Sequence, residues 1–100
     1  MIGGSSAINA MTSMRGQAAD YDHWRQLGLS GRGYDDVLKS FLKLEDHFLG
    51  KSERHGVGGG WRIEAPRLSW DVLDAVANAA SEMGIRRTDD FNTGDNEGIG

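Results

Sequence analysis

Tyr34-Asp35-Asp36-Val37-Leu38-Lys39-Ser40-Phe41-Leu42-Lys43-Leu44-Glu45-Asp46-His47-Phe48-Leu49 is the stretch on which the fold class turns. Tyr34, Val37, Leu38, Phe41, Leu42, Leu44, Phe48 and Leu49 recur at spacings of three and four, which predicts a helix over 34–49 with one broad apolar face. Asp35 and Asp36 suit the positive end of its dipole, and Gly50 stands where a helix stops. Upstream, Asp20 reads as the N-cap of a shorter helix, with Asp22 in its first turn and Tyr21, Trp24 and Leu27 on one face. Gly28 suits its left-handed stop. So short a helix forms only against a partner.

Downstream, a loop over 51–60 ends in Gly56-Val57-Gly58-Gly59-Gly60. A phosphate loop needs a strand before it and a helix after it, and here the order is reversed, so the glycines read as a flexible connection. Trp61-Arg62-Ile63-Glu64 alternates apolar and charged residues as a half-buried strand does, and Pro66 ends it. Ser69 reads as the N-cap of a third helix, with Asp71 in its first turn. Val72, Leu73, Val76, Ala79, Ala80 and Met83 form its stripe and Gly84 its stop. The fold class expected is mainly α, three helices with one or two β segments. The chain divides into a helical segment over 20–50, a Gly-rich loop and strand over 51–68, a helix over 69–84 and an acidic irregular tail over 85–100.

The whole has 100 residues, enough for one domain and no second core. A 38% hydrophobic and 26% charged composition is that of a folding, soluble chain. Fifteen glycines against one proline point to loops that bend tightly or approach a ligand closely. A net charge of −4 with no basic patch argues against nucleic acid as a partner. Without cysteine there is no disulfide scaffold, Cys-based zinc site or thiol nucleophile. No apolar run approaches a membrane span and no signal-peptide pattern opens the chain, so a cytoplasmic location is expected. The glycine turn at the start and the uncapped finish read as those of a piece cut from a longer chain.

The segment Ile2-Gly3-Gly4-Ser5-Ser6-Ala7-Ile8-Asn9-Ala10-Met11 is the most specific in the chain. Two glycines let backbone come close to a ligand, and small hydroxyls and N–H groups can hold its oxygens. On local chemistry alone a plain turn and helix cap is the better reading. Asp89, Asp90, Asn92, Asp95, Asn96 and Glu97 suggest calcium, but Gly94 and Asp95 fall in the wrong places for an EF-hand, which leaves a solvated acidic loop. His23, His47 and His55 are scattered with no i, i+4 pair, so no metal site is expected. Trp24, Tyr34, Phe41, Phe48 and Trp61 read as core.

Gly3-Gly4-Ser5-Ser6-x-Ile8-Asn9, followed by Gly16 and Asp22, resembles a signature of the glucose–methanol–choline (GMC) oxidoreductases. The likeness runs on through Met14-Arg15-Gly16, Asp20-Tyr21-Asp22-x-Trp24, Gly33-Tyr34-Asp35-Asp36-Val37-Leu38, Glu45-Asp46, His55-Gly56-x-Gly58-Gly59, Arg67-Leu68-Ser69 and Asp89-Asp90-Phe91-Asn92-x-Gly94-Asp95-x-Glu97-Gly98. All of these are landmarks of the choline dehydrogenase-like branch. The family's Rossmann-type G-x-G-x-x-G and its catalytic histidine are not among these residues, so the chain resembles an internal fragment.

The resemblance implies a parent with an α/β FAD-binding domain and an α+β substrate domain, of which 1–100 is a single partial domain. It implies a flavin-contacting loop and helix start over 1–19, with Gly3, Gly4, Ser5, Ser6, Asn9, Ala10, Met11 and Thr12 as cofactor-binding residues and no catalytic residue in the chain. Ile8 stands where some relatives attach flavin through histidine, so non-covalent FAD is expected. Ser13, Arg32, Lys39 and Gly60 depart from the family's preferences for an aromatic, tryptophan, proline and proline. The implied function is oxidation of an alcohol to an aldehyde or ketone with hydride passing to FAD and on to an electron acceptor. The fragment itself is expected to be inactive and to self-associate through exposed apolar faces. The alternative is a stand-alone helical interaction module derived from such a sequence.

Overall fold

The computed structural model describes residues 2–67 and 69–100, so Met1 and the Leu68 of the Arg67-Leu68-Ser69 landmark lie outside the described residues. A 3-10 turn at Gly4–Ala7 is followed by α1 (Ala18–Gln26), α2 (Tyr34–Leu44), β1 (Glu45–His47), β2 (Trp61–Ile63) and α3 (Asp71–Glu82). Three helices and a two-stranded sheet are the expected class, and the sheet is parallel, pairing Glu45 with Trp61, Asp46 with Arg62 and His47 with Ile63.

The helix over 34–49 ends at Leu44, five residues short of the apolar pattern. Beyond that point the backbone finds partners across the loop. The His47 N–H donates to the Gly56 carbonyl at 2.9 Å, the Gly59 N–H donates to the Glu45 carbonyl at 3.0 Å, and the Phe48 N–H donates to the Ile63 carbonyl at 3.1 Å. These bonds replace the i→i−4 ladder, so tertiary pairing overrides helical periodicity and the chain turns into a strand. The glycines make this possible by closeness, not by slack. A Cβ on Gly56 would collide with the Leu42 carbonyl, and one on Gly59 with the Leu44 carbonyl.

α1 starts at Ala18, two residues before the expected cap. Asp20 sits inside the first turn, where its carboxylate accepts the Gln17 N–H at 2.9 Å as half of a capping box. Gly28, at φ 94, follows the helix in the left-handed conformation as expected. α1 and α2 pack through Tyr21, whose ring lies 6.0 Å from Phe41 and 6.2 Å from Tyr34, and Asp22 Oδ1 accepts the first N–H of α2 from Tyr34. α3 is capped at Trp70, not Ser69, without a side-chain bond.

Among the described residues the buried interior is small: Ala77 and Ala80 on α3, Glu45, His47 and His55 around the sheet, and the glycines Gly33 and Gly56. Trp24, Phe48 and Trp61, expected in the core, are exposed, as are Leu73 at 60% and Met83 at 79% on the α3 stripe. The accessible area is 7892 Å², against about 5,600 Å² for a compact monomer of this mass. The radius of gyration is 16.2 Å where about 13 Å is usual. Too little apolar surface is covered for it to be the main tie. Among the described residues no helix is long and apolar enough to cross a membrane.

Gly56→Ala is expected to lower unfolding stability by about 3 kcal/mol, because rigid backbone on α2 cannot yield. Gly60→Ala, where a Cβ meets open space, stays within about 0.5 kcal/mol. Urea titrations of the two variants check this, and equal midpoints would show that Gly56 is only a linker.

Candidate functional site

Glu45 opens β1 directly after α2, which turns its side chain inward, where it is 6% exposed. Its Oε1 accepts from Arg15 Nη2 at 2.9 Å, and its Oε2 accepts from the Gly56 N–H at 3.0 Å and faces His55 Nδ1 at 3.0 Å. On the other side of the ring, His55 Nε2 lies 2.6 Å from Asp90 Oδ2. The Asn92 N–H donates to Asp90 Oδ1 at 2.7 Å, and Asn92 Oδ1 accepts the Arg15 N–H at 2.8 Å. Arg15, Glu45, His55, Asp90 and Asn92 thus form a closed hydrogen-bonded ring. Arg15 Nη1 also donates to the Arg54 carbonyl at 2.6 Å, and its guanidinium lies 5.3 Å from the centre of the Phe41 ring. Among the described residues no buried side-chain nitrogen or oxygen lacks a partner.

Burial works against the Glu45 carboxylate, but the Gly56 N–H, the His55 ring and the Arg15 charge outweigh it and hold its pKa below the ordinary 4.5. Burial and the neighbouring His55 push the pKa of His47 below 6.5. His47 stacks on His55 with centroids 3.9 Å apart and planes 27° apart.

His47, His55 and Asp90 offer ligand atoms within 4.8 Å of one another. An imidazole lone pair lies in its ring plane, so two stacked rings do not aim at a shared ion, and both nitrogens of His55 already face carboxylates. The cluster is a polar tie. Spacing along the chain gave no sign that two of the three histidines would meet. Asp90 and Asn92, expected in a solvated acidic loop, are instead half-buried members of the ring, while Asp89, Asp95 and Glu97 remain exposed.

The residues expected to bind a cofactor lie apart from this ring, on the surface. Gly3 at φ 89 and Gly4 at φ 65 make the opening turn, Ser6 Oγ donates to the Gly3 carbonyl at 2.8 Å, and Ser5 is exposed in the same turn. Asn9, Ala10, Met11 and Thr12 run on without secondary structure, all exposed. Asn9 Oδ1 accepts the Met11 N–H at 2.7 Å, and Met11 is held at φ 61, the one non-glycine residue at positive φ among the described residues. The N–H groups of Asn9, Ala10 and Thr12 have no partner among the described residues. Thr12, Ser13 and Met14 then pass over a cleft of about 210 Å³ floored by Phe41, Leu44 and Trp61.

A family model described as GMC oxidoreductase matches residues 1–100. Over 101 residues the chain is 42% identical to an oxygen-dependent choline dehydrogenase of Xanthomonas campestris pv. campestris (strain B100), a match covering 99% of this chain and 18% of that protein. It is 37% identical over 100 residues to the oxygen-dependent choline dehydrogenase of Sinorhizobium fredii (strain NBRC 101917 / NGR234), covering 100% of this chain and 18% of that one. The crystal structure of pyridoxine 4-oxidase from Mesorbium loti superposes with a TM-score of 0.81 at 35% identity, over 94% of this chain and 19% of that chain. The chain therefore spans under a fifth of the length of these relatives.

Glu45 and His47 both bind a proton more readily in the unfolded chain, so the stability they confer is lost on acidification. The urea midpoint is expected to fall first below pH 6.5, where unfolded His47 takes up its proton, and more steeply below pH 4.5, where unfolded Glu45 does. His47→Gln removes the first decline. A midpoint that rises between pH 7 and pH 5 would contradict these assignments.

Proposed function

The chain belongs to the GMC oxidoreductase family, and from that premise we propose that it forms part of the flavin wall of an FAD-dependent alcohol oxidoreductase of the choline dehydrogenase-like branch. Gly3, Gly4, Ser5, Ser6, Asn9, Ala10, Met11 and Thr12 are the residues that would lie along non-covalently bound FAD.

The observation that carries this reading is the backbone of Asn9–Thr12. It is exposed, its Asn9, Ala10 and Thr12 N–H groups have no partner among the described residues, and it holds a non-glycine residue at positive φ. Strain of that kind concentrates where a ligand is clamped. The donor set fits a cofactor rich in oxygen and nitrogen acceptors, and the open space beside Gly4 lets such a group come close. Ile8 has no nucleophilic atom with which to attach it.

Bound FAD would supply the hydride acceptor. Choline and pyridoxine, named for the relatives, are alcohols, and an alcohol is the proposed substrate class. The two buried histidines among the described residues are already engaged. Both nitrogens of His55 face carboxylates, and His47 Nδ1 accepts the Leu49 N–H. The base is therefore proposed to come from the rest of the parent protein, with these 100 residues inactive by themselves. The large accessible area and the exposed α3 stripe support a piece that packs against more protein, in preference to a stand-alone module.

Amide chemical-shift mapping of the chain with FAD tests the reading. Shifts are expected at Gly4–Thr12 and not on α3. Silence at Gly4–Thr12 in millimolar FAD would overturn it.

A further inference from the structure

Residues 9–17 form no helix or strand, and among the described residues the hydrogen bonds that join residues 2–16 to the rest of the chain are all made at Ser13 and Arg15. Two of them come from one side chain. Asn92 Oδ1 accepts the Arg15 N–H at 2.8 Å, and Asn92 Nδ2 donates to the Ser13 carbonyl at 2.9 Å. This is the pair of bonds that a residue of a neighbouring strand makes to residues i and i+2. It also fixes both ends of the amide, since only one orientation offers an acceptor to Arg15 and a donor to Ser13. Asn92 is itself held by its N–H on Asp90 Oδ1, and Asp90 by His55. The guanidinium of Arg15, on Glu45 and the Arg54 carbonyl, ties the same point from the other side.

We infer that Asn92 is a positioning residue for the cofactor segment: standing in for a strand at Ser13 and Arg15, it sets where Asn9–Thr12 lie against the body of the chain. The inference rests on the proposed reading of Asn9–Thr12 as flavin contacts. A side chain nearly eighty positions further along the chain then fixes the height and direction at which those N–H groups meet the cofactor. The substitution that removes both bonds leaves the α1–α2 contact and α3 untouched.

The test uses the 100-residue chain, with amide hydrogen exchange and FAD-induced shifts read in the same preparation. In Asn92→Ala, exchange of the Arg15 amide is expected to quicken by about tenfold, and the FAD response at Asn9–Thr12 to need about tenfold more FAD, while the Ala77 and Ala80 amides exchange as before. Asn92→Asp keeps the acceptor and loses the donor, so it restores Arg15 protection and recovers part of the FAD response. Unchanged Arg15 exchange in Asn92→Ala overturns the inference. So does equal quickening at Ala77 and Ala80, which would make Asn92 a general structural residue. A wild-type FAD response retained in Asn92→Ala overturns the inference alone. A wild-type chain silent at Asn9–Thr12 overturns the flavin reading and the inference with it.

Discussion

The closed ring of Arg15, Glu45, His55, Asp90 and Asn92 is the constraint on which the arrangement of the sheet, the acidic tail and the segment over 9–15 depends. In most domains of this size an apolar core holds the elements together and polar ties refine the fit. Here, among the described residues, the buried apolar side chains are two alanines, and three of the buried residues are Glu45, His47 and His55. A buried carboxylate is tolerated when partners replace the water on both of its oxygens, and the ring does this for Glu45 with a guanidinium, an imidazole and a backbone N–H. The energy at stake is asymmetric: a complete ring contributes modestly, whereas a ring missing one member leaves a buried charge or donor exposed to a poor solvent.

The ring also explains why distant parts of the chain meet. To bring Glu45 against His55, α2 has to stop at Leu44 and the loop after β1 has to fold back onto it, and that return requires Gly56 and Gly59 against the carbonyls of α2. To bring Asp90 and Asn92 against His55 and Arg15, the acidic tail has to close over the sheet, where an isolated parallel bridge between Arg87 and Ile99 shapes it. The segment over 9–15 is held by the same ring at Ser13 and Arg15, while the N–H groups of Asn9, Ala10 and Thr12 have no partner among the described residues. The proposed cofactor wall and the polar interior are thus two sides of one arrangement. The apolar α3 face takes no part in it.

Much of this was legible in the sequence. The helices, the strand at Trp61 and the stops at Gly28 and Gly84 follow from spacing, and the family landmarks run along the whole chain. What misled was also physical. Phe48 and Leu49 continue the period of α2, and no local feature says that Glu45–His47 will trade helical hydrogen bonds for partners nine or more residues away. Gly56 and Gly59 looked like slack because composition cannot distinguish a glycine that bends from one that is pressed against backbone. Asp90 and Asn92 sat among acids that do remain in water, and only their long-range partners separate them from Asp89 and Asp95. The polar ring was hidden because its bonded members, Asp90 and Asn92 excepted, are ten to seventy-seven residues apart and carry no periodicity.

The central claim is that the ring acts as one unit, and a double-mutant cycle across it is the direct test. Glu45→Gln and Asn92→Ala alter members that do not touch each other and communicate only through Arg15 or through His55 and Asp90. If the ring is cooperative, the second substitution costs less once the first has opened it, and the cycle yields a coupling of about 1 kcal/mol or more in urea unfolding. If the two costs add to within about 0.5 kcal/mol, the bonds are independent and the account is wrong.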